Sequence, residues 1–121
     1  MINKTDFYID GKWVVPQQGA ALEVINPSTE DAFATISLGG EADTNAAVAA
    51  AKSAFPAWSK TPAAERLALV KKIREIYKSR MDDMAAAISQ EMGAPIDMAK
   101  QQQVPAGLGH IHQLHQSRRE L

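Results

Sequence analysis

The chain has 121 residues, of which 45% are hydrophobic and 22% charged, a composition typical of an ordinary globular domain. Its 13 Lys and Arg against 14 Asp and Glu give a net charge of -1, which excludes a chain-wide basic field for nucleic acid or an anionic membrane surface. The sequence contains no cysteine, which excludes disulfides, thiolate nucleophiles and cysteine-bound metals within it.

The first ten residues include Lys4, Asp6 and Asp10 and lack the apolar core of a secretory signal. No other window approaches the run of about 20 apolar residues that a membrane-spanning helix needs. We therefore predict a cytoplasmic protein that has neither nucleic acid nor a membrane among its partners.

Short alternating runs over 6–38 predict a small antiparallel β unit. In its first half, Asp10-Gly11 separates the apolar run Phe7–Ile9 from Trp13–Val15. An Asp-Gly pair between two apolar runs is typical of a two-residue type I′ hairpin, because both central residues of that turn need positive φ.

The second half of this β unit contains two more predicted strands. The run 22–26 alternates less regularly and leads into a turn at Pro27–Thr29. The run 32–38 alternates again and is predicted to be a strand.

After Gly39-Gly40 the apolar residues recur every three or four positions, which predicts a helical part over 41–115. The first helix is rich in alanine, and Pro56 is predicted to end it. The second helix is predicted to begin with Thr61 as the N-cap and Pro62 at the first helical position.

One continuous apolar stripe predicts that this second helix runs over 61–92, followed by Gly93 and Pro95. The stripe consists of Leu67, Val70, Ile73, Tyr77, Met81, Met84, Ile88 and Met92. We interpret the methionine series Met81, Met84, Met92 and Met98 as core packing rather than as a plastic binding surface. A third helix is predicted from Ile96, interrupted by Pro105, Gly107 and Gly109.

The predicted second helix is too long for a domain of this size. At ~1.5 Å per residue it would extend about 48 Å, whereas a compact chain of this length is roughly 35 Å across. One end of its apolar stripe therefore needs a partner. The missing part of a larger protein and a second copy of this chain both satisfy this need, and the sequence leaves the two open.

The residues with metal-ligand character are His110, His112 and His115. His112 and His115 would share a helix face, whereas His110 and His112 point to different faces and no carboxylate lies at a complementary spacing. We therefore favour a solvated chain end over a metal site. Gly39-Gly40 fits neither the dinucleotide fingerprint nor the P-loop spacing and is interpreted as a turn.

Four segments in order resemble the N-terminal portion of the NAD(P)+-dependent aldehyde dehydrogenase superfamily. They are the hairpin Tyr8–Val14, the Asn-Pro-Ser-Thr turn within Val24–Glu30, the helix Ala46–Trp58, and the long helix that starts with Thr61–Arg66 and ends with Glu91–Pro95. The resemblance covers roughly Phe7 to Ile111, and the polar residues 112–121 depart from the family pattern.

This resemblance implies an α+β fragment of the aldehyde dehydrogenase fold, in which 1–121 is a single segment with a β unit at 6–38 and a helical part at 41–115. In the family, the catalytic Cys, the general-base Glu and the nicotinamide site lie downstream of this region. The resemblance therefore implies no catalytic residue and no cofactor-binding residue here, and no cofactor bound by this chain alone, with NAD or NADP serving the parent family.

The resemblance also implies part of a structural cation site. Its carbonyl ligands would fall on Val24 and Ile25 and its acidic ligand on Glu91, an oxygen set that suits K+ or Na+. The alternative is that Glu91 only caps or solvates a helix end.

Three hypotheses follow for the function. The first is a truncated aldehyde dehydrogenase-like fragment that is inactive alone and forms a homo-oligomer to cover its apolar stripe. The second is one piece of a complete dehydrogenase, whose partner is the missing C-terminal part. The third is an unrelated stand-alone helical oligomerisation or interaction module.

Overall fold

The computed structural model describes the backbone of residues 1–17 and 19–117, and the side chains of that range through residue 114. The chain divides into two compact units, one comprising Met1–Lys60 and the other starting at Thr61. Among the described residues, the first unit contains all the strands and one helix, and the second unit is helical.

The first unit contains five strands and a helix. They are β1 Ile2–Lys4, β2 Phe7–Ile9, β3 Lys12–Val14, β4 Ala20–Ile25, β5 Ala32–Leu38 and α1 Glu41–Trp58. The predicted α+β class is confirmed, since small sheets come first in the chain and helices follow.

The predicted hairpin is confirmed by the pairing of β2 with β3, in which Phe7 lies opposite Val14 and Ile9 opposite Lys12. The two turn residues, Asp10 and Gly11, have φ of 54° and 76°. Both values are positive, as a type I′ turn requires.

The second sheet has the strand order β1-β5-β4, and its pairing differs in part from the expectation. The antiparallel pair of β4 and β5 agrees with the sequence prediction, whereas β1 pairs with β5 in parallel, Ile2 opposite Ala34. The sequence predicted only antiparallel strands. A parallel pair needs a connection of a dozen or more residues, and the chain between β1 and β5 is long enough to provide one.

Helix α1 begins after Gly40 and extends past Pro56 to Trp58, so the prediction that Pro56 ends it was wrong by two residues. Proline lacks only its own N–H, and the residues that follow it can still donate their N–H groups to carbonyls four residues earlier. Ser59, just past the helix, donates its N–H to the carbonyl of Phe55 at 2.8 Å.

The second unit contains four α-helical segments and a π-helix among its described residues. They are α2 Ala63–Ser79, α3 Met81–Met92, α4 Ile96–Met98, the π-helix Ala99–Gln103 and α5 Val104–Ser117. Gly93 ends α3 with a φ of 71°, a left-handed conformation that glycine adopts without a steric penalty.

The single helix predicted over 61–92 is instead two helices, because the chain breaks at Arg80, with φ of -118° and ψ of 19°. The N–H of Arg80 bonds to the carbonyl of Tyr77, three residues back, at 3.1 Å. This tightening of the last turn ends α2. The helix also starts later than predicted, at Ala63, because Pro62 has an extended ψ of 142° and serves as the N-cap in place of Thr61.

The prediction that Pro105, Gly107 and Gly109 interrupt the last helix was also wrong, because α5 contains all three. Pro105 lies just after the π-helix Ala99–Gln103, where the regular i→i−4 bonding of an α-helix is already interrupted, so its missing N–H is accommodated there. Gly107 lies against Tyr77, whose hydroxyl donates a hydrogen bond to the carbonyl of Val104 at 3.0 Å.

The core of the second unit is built from small side chains. Ala85, Ala99 and Val104 are at most 1% exposed, and Tyr77, Met81 and Ile88 pack against them. Three methionines that we interpreted as core are more exposed than that interpretation requires, namely Met84, Met92 and Met98 at 42%, 59% and 44%. Met81 alone of the predicted methionine series packs on this cluster.

Candidate interaction surface

The residues named for the cation site lie in both units. Val24 and Ile25 belong to β4, where the register with β5 shifts between them, and such an irregularity disrupts the local ladder. Glu91 lies exposed in the last turn of α3, in the second unit. The three-residue cation site stays a prediction.

The histidines lie on α5. His110 is exposed, and the Nδ1 of His112 is buried without a hydrogen bond from any described residue. The side chain of His115 lies outside the described residues. Within the part of the chain that the structure describes, no three His, Asp or Glu side chains are grouped to hold a metal ion.

The turn before α1 is closed by a carboxylate that the sequence analysis missed. Asp43 is 6% exposed, and its Oδ2 accepts the N–H of Gly40 at 3.0 Å while its Oδ1 accepts the N–H of Gln17 at 2.9 Å. A phosphate at this helix start would compete with the carboxylate of Asp43 for the N–H of Gly40. The turn therefore does not fit a dinucleotide phosphate, and its sequence signal was the acidic residue three positions after Gly40.

The exposed surface is rich in large apolar side chains in both units. In the first unit these include Trp13, Val15 and Phe55, at 70%, 77% and 65% exposure. In the second unit they include Leu69, Ile73, Ile76, Met84 and Met92. Apolar exposure on this scale is typical of a surface that contacts another protein segment.

The total exposed area supports the same interpretation. The chain of 13.1 kDa exposes 9029 Å². Two separate globular domains of half this mass would together expose about 7,700 Å². The excess does not depend on how the two units are arranged, because the comparison already treats them as separate.

An apolar cleft of about 310 Å³ lies in the second unit at the break between α2 and α3, and we call it the kink cleft. It is lined by Ile73, Ile76 and Tyr77 of α2 and by Met84 and Ala87 of α3. Arg80 and Asp83 also line the cleft, and they form an ion pair with each other at 3.2 Å.

None of the helices among the described residues combines the length and the apolar character needed to cross a membrane.

Comparison with known proteins shows the family to which this chain belongs. The family model described as the aldehyde dehydrogenase family matches residues 13–121. A 3-succinoylsemialdehyde-pyridine dehydrogenase from a Pseudomonas species is 47% identical over 107 residues, which are 88% of this chain and 22% of that protein.

Solved structures agree with this match. The crystal structure of an aldehyde dehydrogenase from Bartonella henselae is 50% identical, with a TM-score of 0.97 over 100% of this chain and 25% of that one. A mutant aldehyde dehydrogenase C from Pseudomonas syringae, in complex with NAD+ and octanal, is 38% identical, with a TM-score of 0.93 over 95% of this chain and 24% of that one. The chain spans about a quarter of the length of the relatives it matches, and it belongs to the aldehyde dehydrogenase family, of which it represents an N-terminal portion.

Proposed function

We propose that this chain supplies the N-terminal quarter of an NAD(P)+-dependent aldehyde dehydrogenase and has no catalytic activity by itself. The family reaction begins with attack of a thiolate on the aldehyde, followed by hydride transfer to NAD(P)+ and hydrolysis of the thioester. The chain contains no cysteine to start this sequence. Its role in oxidation is therefore to complete the fold of the part that carries the catalytic groups.

One observation carries this proposal: a chain that spans a quarter of its relatives exposes more surface than two separate domains of its mass. Large apolar side chains that are solvent-exposed here gain free energy when another segment covers them. The remaining three quarters of the dehydrogenase is the partner that the family relationship favours.

We infer that the cofactor binds to that partner segment and not to this chain alone. Relatives have been solved with NAD+, including the dehydrogenase from Pseudomonas syringae. In this chain, the helix start after Gly39-Gly40 is closed by Asp43, which argues against a phosphate there. We further propose that the assembled enzyme is cytoplasmic.

The test is a chimera in which this chain replaces the matching quarter of the Bartonella henselae dehydrogenase. We expect the chimera to reduce NAD+ with octanal or another aldehyde, and we expect this chain alone, and the Bartonella enzyme without its first quarter, to be inactive. NADH absorbance is the readout. Reduction of NAD+ by this chain alone, or an inactive chimera that is folded, would contradict the proposal.

A second candidate is self-association of this chain as an interaction module, favoured by the apolar exposure of both units. It predicts a stable homo-oligomer at micromolar concentration. Light scattering with circular dichroism on the same sample distinguishes the two, because the enzyme-fragment role does not require a folded oligomer of this chain alone.

A further inference from the structure

We propose that the kink cleft is the docking point for an apolar segment from the remaining three quarters of the dehydrogenase. The inference deepens the proposed function, on which it rests, by naming where the two parts meet. Its occupant is a protein segment with aliphatic side chains.

The chemistry of the cleft favours an aliphatic occupant. Ile73, Ile76 and Met84 line it and are 56%, 49% and 42% exposed, so apolar surface faces the opening. The charges of Arg80 and Asp83 are paired with each other at 3.2 Å and therefore do not call for a charged ligand. The hydroxyl of Tyr77 already donates to the carbonyl of Val104, which leaves its ring as the surface that an occupant would contact.

The break at Arg80 creates this cleft, and it belongs to the fold of whole dehydrogenases. The chain matches the Bartonella henselae enzyme with a TM-score of 0.97 over its entire length, although it covers only 25% of that enzyme. The backbone that contains the cleft therefore closely resembles that of a chain that carries the other three quarters. An apolar cleft that keeps its form in the longer protein is suited to receive part of that protein.

The experiment compares each substitution in the chimera with the same substitution in this chain alone. Ile73→Asp places a carboxylate in the cleft, and Ala87→Trp fills the cleft without adding charge. Since Ile73 is exposed in the chain alone, we expect Ile73→Asp to lower the melting temperature of that chain by about 2 °C or less. In the chimera we expect a loss of about 5 °C or more for both substitutions, because there they displace the docked segment.

The matched control is Lys71→Asp, which introduces the same side chain at an exposed position of α2 that does not line the cleft. It should change the melting temperature of the chimera by about 2 °C or less. Equal effects of Ile73→Asp in the chimera and in the chain alone would overturn the proposal, while activity of the unsubstituted chimera would still support the proposed function.

Three further outcomes are decisive. If Ile73→Asp converts an oligomer of the chain alone into a monomer, the occupant is a second copy of this chain, and the proposal is overturned. A chimera that fails to fold, while the Bartonella enzyme folds, would overturn both this proposal and the proposed function. A folded but inactive chimera that still loses stability on Ile73→Asp and Ala87→Trp would overturn only the proposed function.

Discussion

Tyr77 packs closely against the backbone of α5 at Gly107. A Cβ on Gly107 would lie 2.5 Å from the Tyr77 hydroxyl oxygen and 3.2 Å from its Cζ. The same hydroxyl donates to the carbonyl of Val104, so the tyrosine cannot move away without losing a hydrogen bond. Glycine at position 107 is therefore a packing requirement, although glycine weakens helices in general.

We expect Gly107→Ala to lower the free energy of unfolding by about 1–3 kcal/mol, because the added methyl overlaps the tyrosine. Gly109→Ala is the matched control in the same helix, since a Cβ there would meet nothing within 4 Å. That control should raise the free energy of unfolding by up to about 1 kcal/mol through helix propensity. Urea unfolding followed by circular dichroism measures both changes.

Combining Tyr77→Phe with Gly107→Ala should recover part of the loss, because the shortest contact involves the hydroxyl. If Gly107→Ala stabilises the chain as much as Gly109→Ala does, the packing of Tyr77 against α5 is not as described here.

At the scale of elements, the start of α1 depends on one buried carboxylate. Asp43 accepts the N–H of Gly40 within the first turn, and it also accepts the N–H of Gln17 from the connection between β3 and β4. These two bonds connect the beginning of the helix with a loop 26 residues earlier in the chain. An N-cap position occupied by glycine has no side chain to satisfy the first N–H groups, which increases the importance of Asp43.

We expect Asp43→Ala to lower the free energy of unfolding by about 2 kcal/mol, because two N–H groups lose a charged acceptor. Glu41→Ala, which removes an exposed acidic residue from the same first turn, should cost about 0.5 kcal/mol or less. Hydrogen exchange by NMR should show faster exchange of the Gln17 and Gly40 amides in Asp43→Ala only. Unchanged exchange at Gln17 would contradict the proposed link.

The elements differ in how well the sequence predicted them. Asp10-Gly11 predicted the hairpin because a type I′ turn leaves few other choices of residue. The break at Arg80 carried no such signal. The apolar period continues through it, and no glycine or proline occurs there.

At the scale of the whole molecule, the chain has a small core and a large apolar surface. An unfolded chain of this mass would expose about 19,000 Å², so the 9029 Å² of the folded chain means that about half of that area is buried. Even a 60-residue domain buries about 60% of the area that its unfolded chain exposes, so this chain buries a smaller fraction than a domain half its length. The largest of the nearly buried side chains among the described residues is Val104, while Trp13 and Phe55 lie mainly in solvent.

This distribution predicts that truncating a large exposed side chain lowers the free energy of unfolding less than truncating a small buried one. Phe55→Ala should change the free energy of unfolding by about 0.5 kcal/mol or less, because Phe55 is 65% exposed. Val104→Ala should cost about 2 kcal/mol, although it removes fewer atoms, because Val104 is 1% exposed. Urea unfolding of both variants checks the ranking, and a larger cost for Phe55→Ala would show that the chain covers this face by itself.

The sequence by itself determined the family, the order of strands before helices and the turn at Asp10-Gly11. These depend on local spacing and turn chemistry, which a one-dimensional pattern records. The tertiary structure decided the parallel pairing of β1 and the burial of Asp43, because each depends on contacts between residues distant in sequence. It also placed the break at Arg80, through which the apolar period of the sequence continues. The tertiary structure also decided which part of the apolar stripe is core. The periodicity of a sequence predicts which face of a helix is apolar, but it does not predict which segment covers that face.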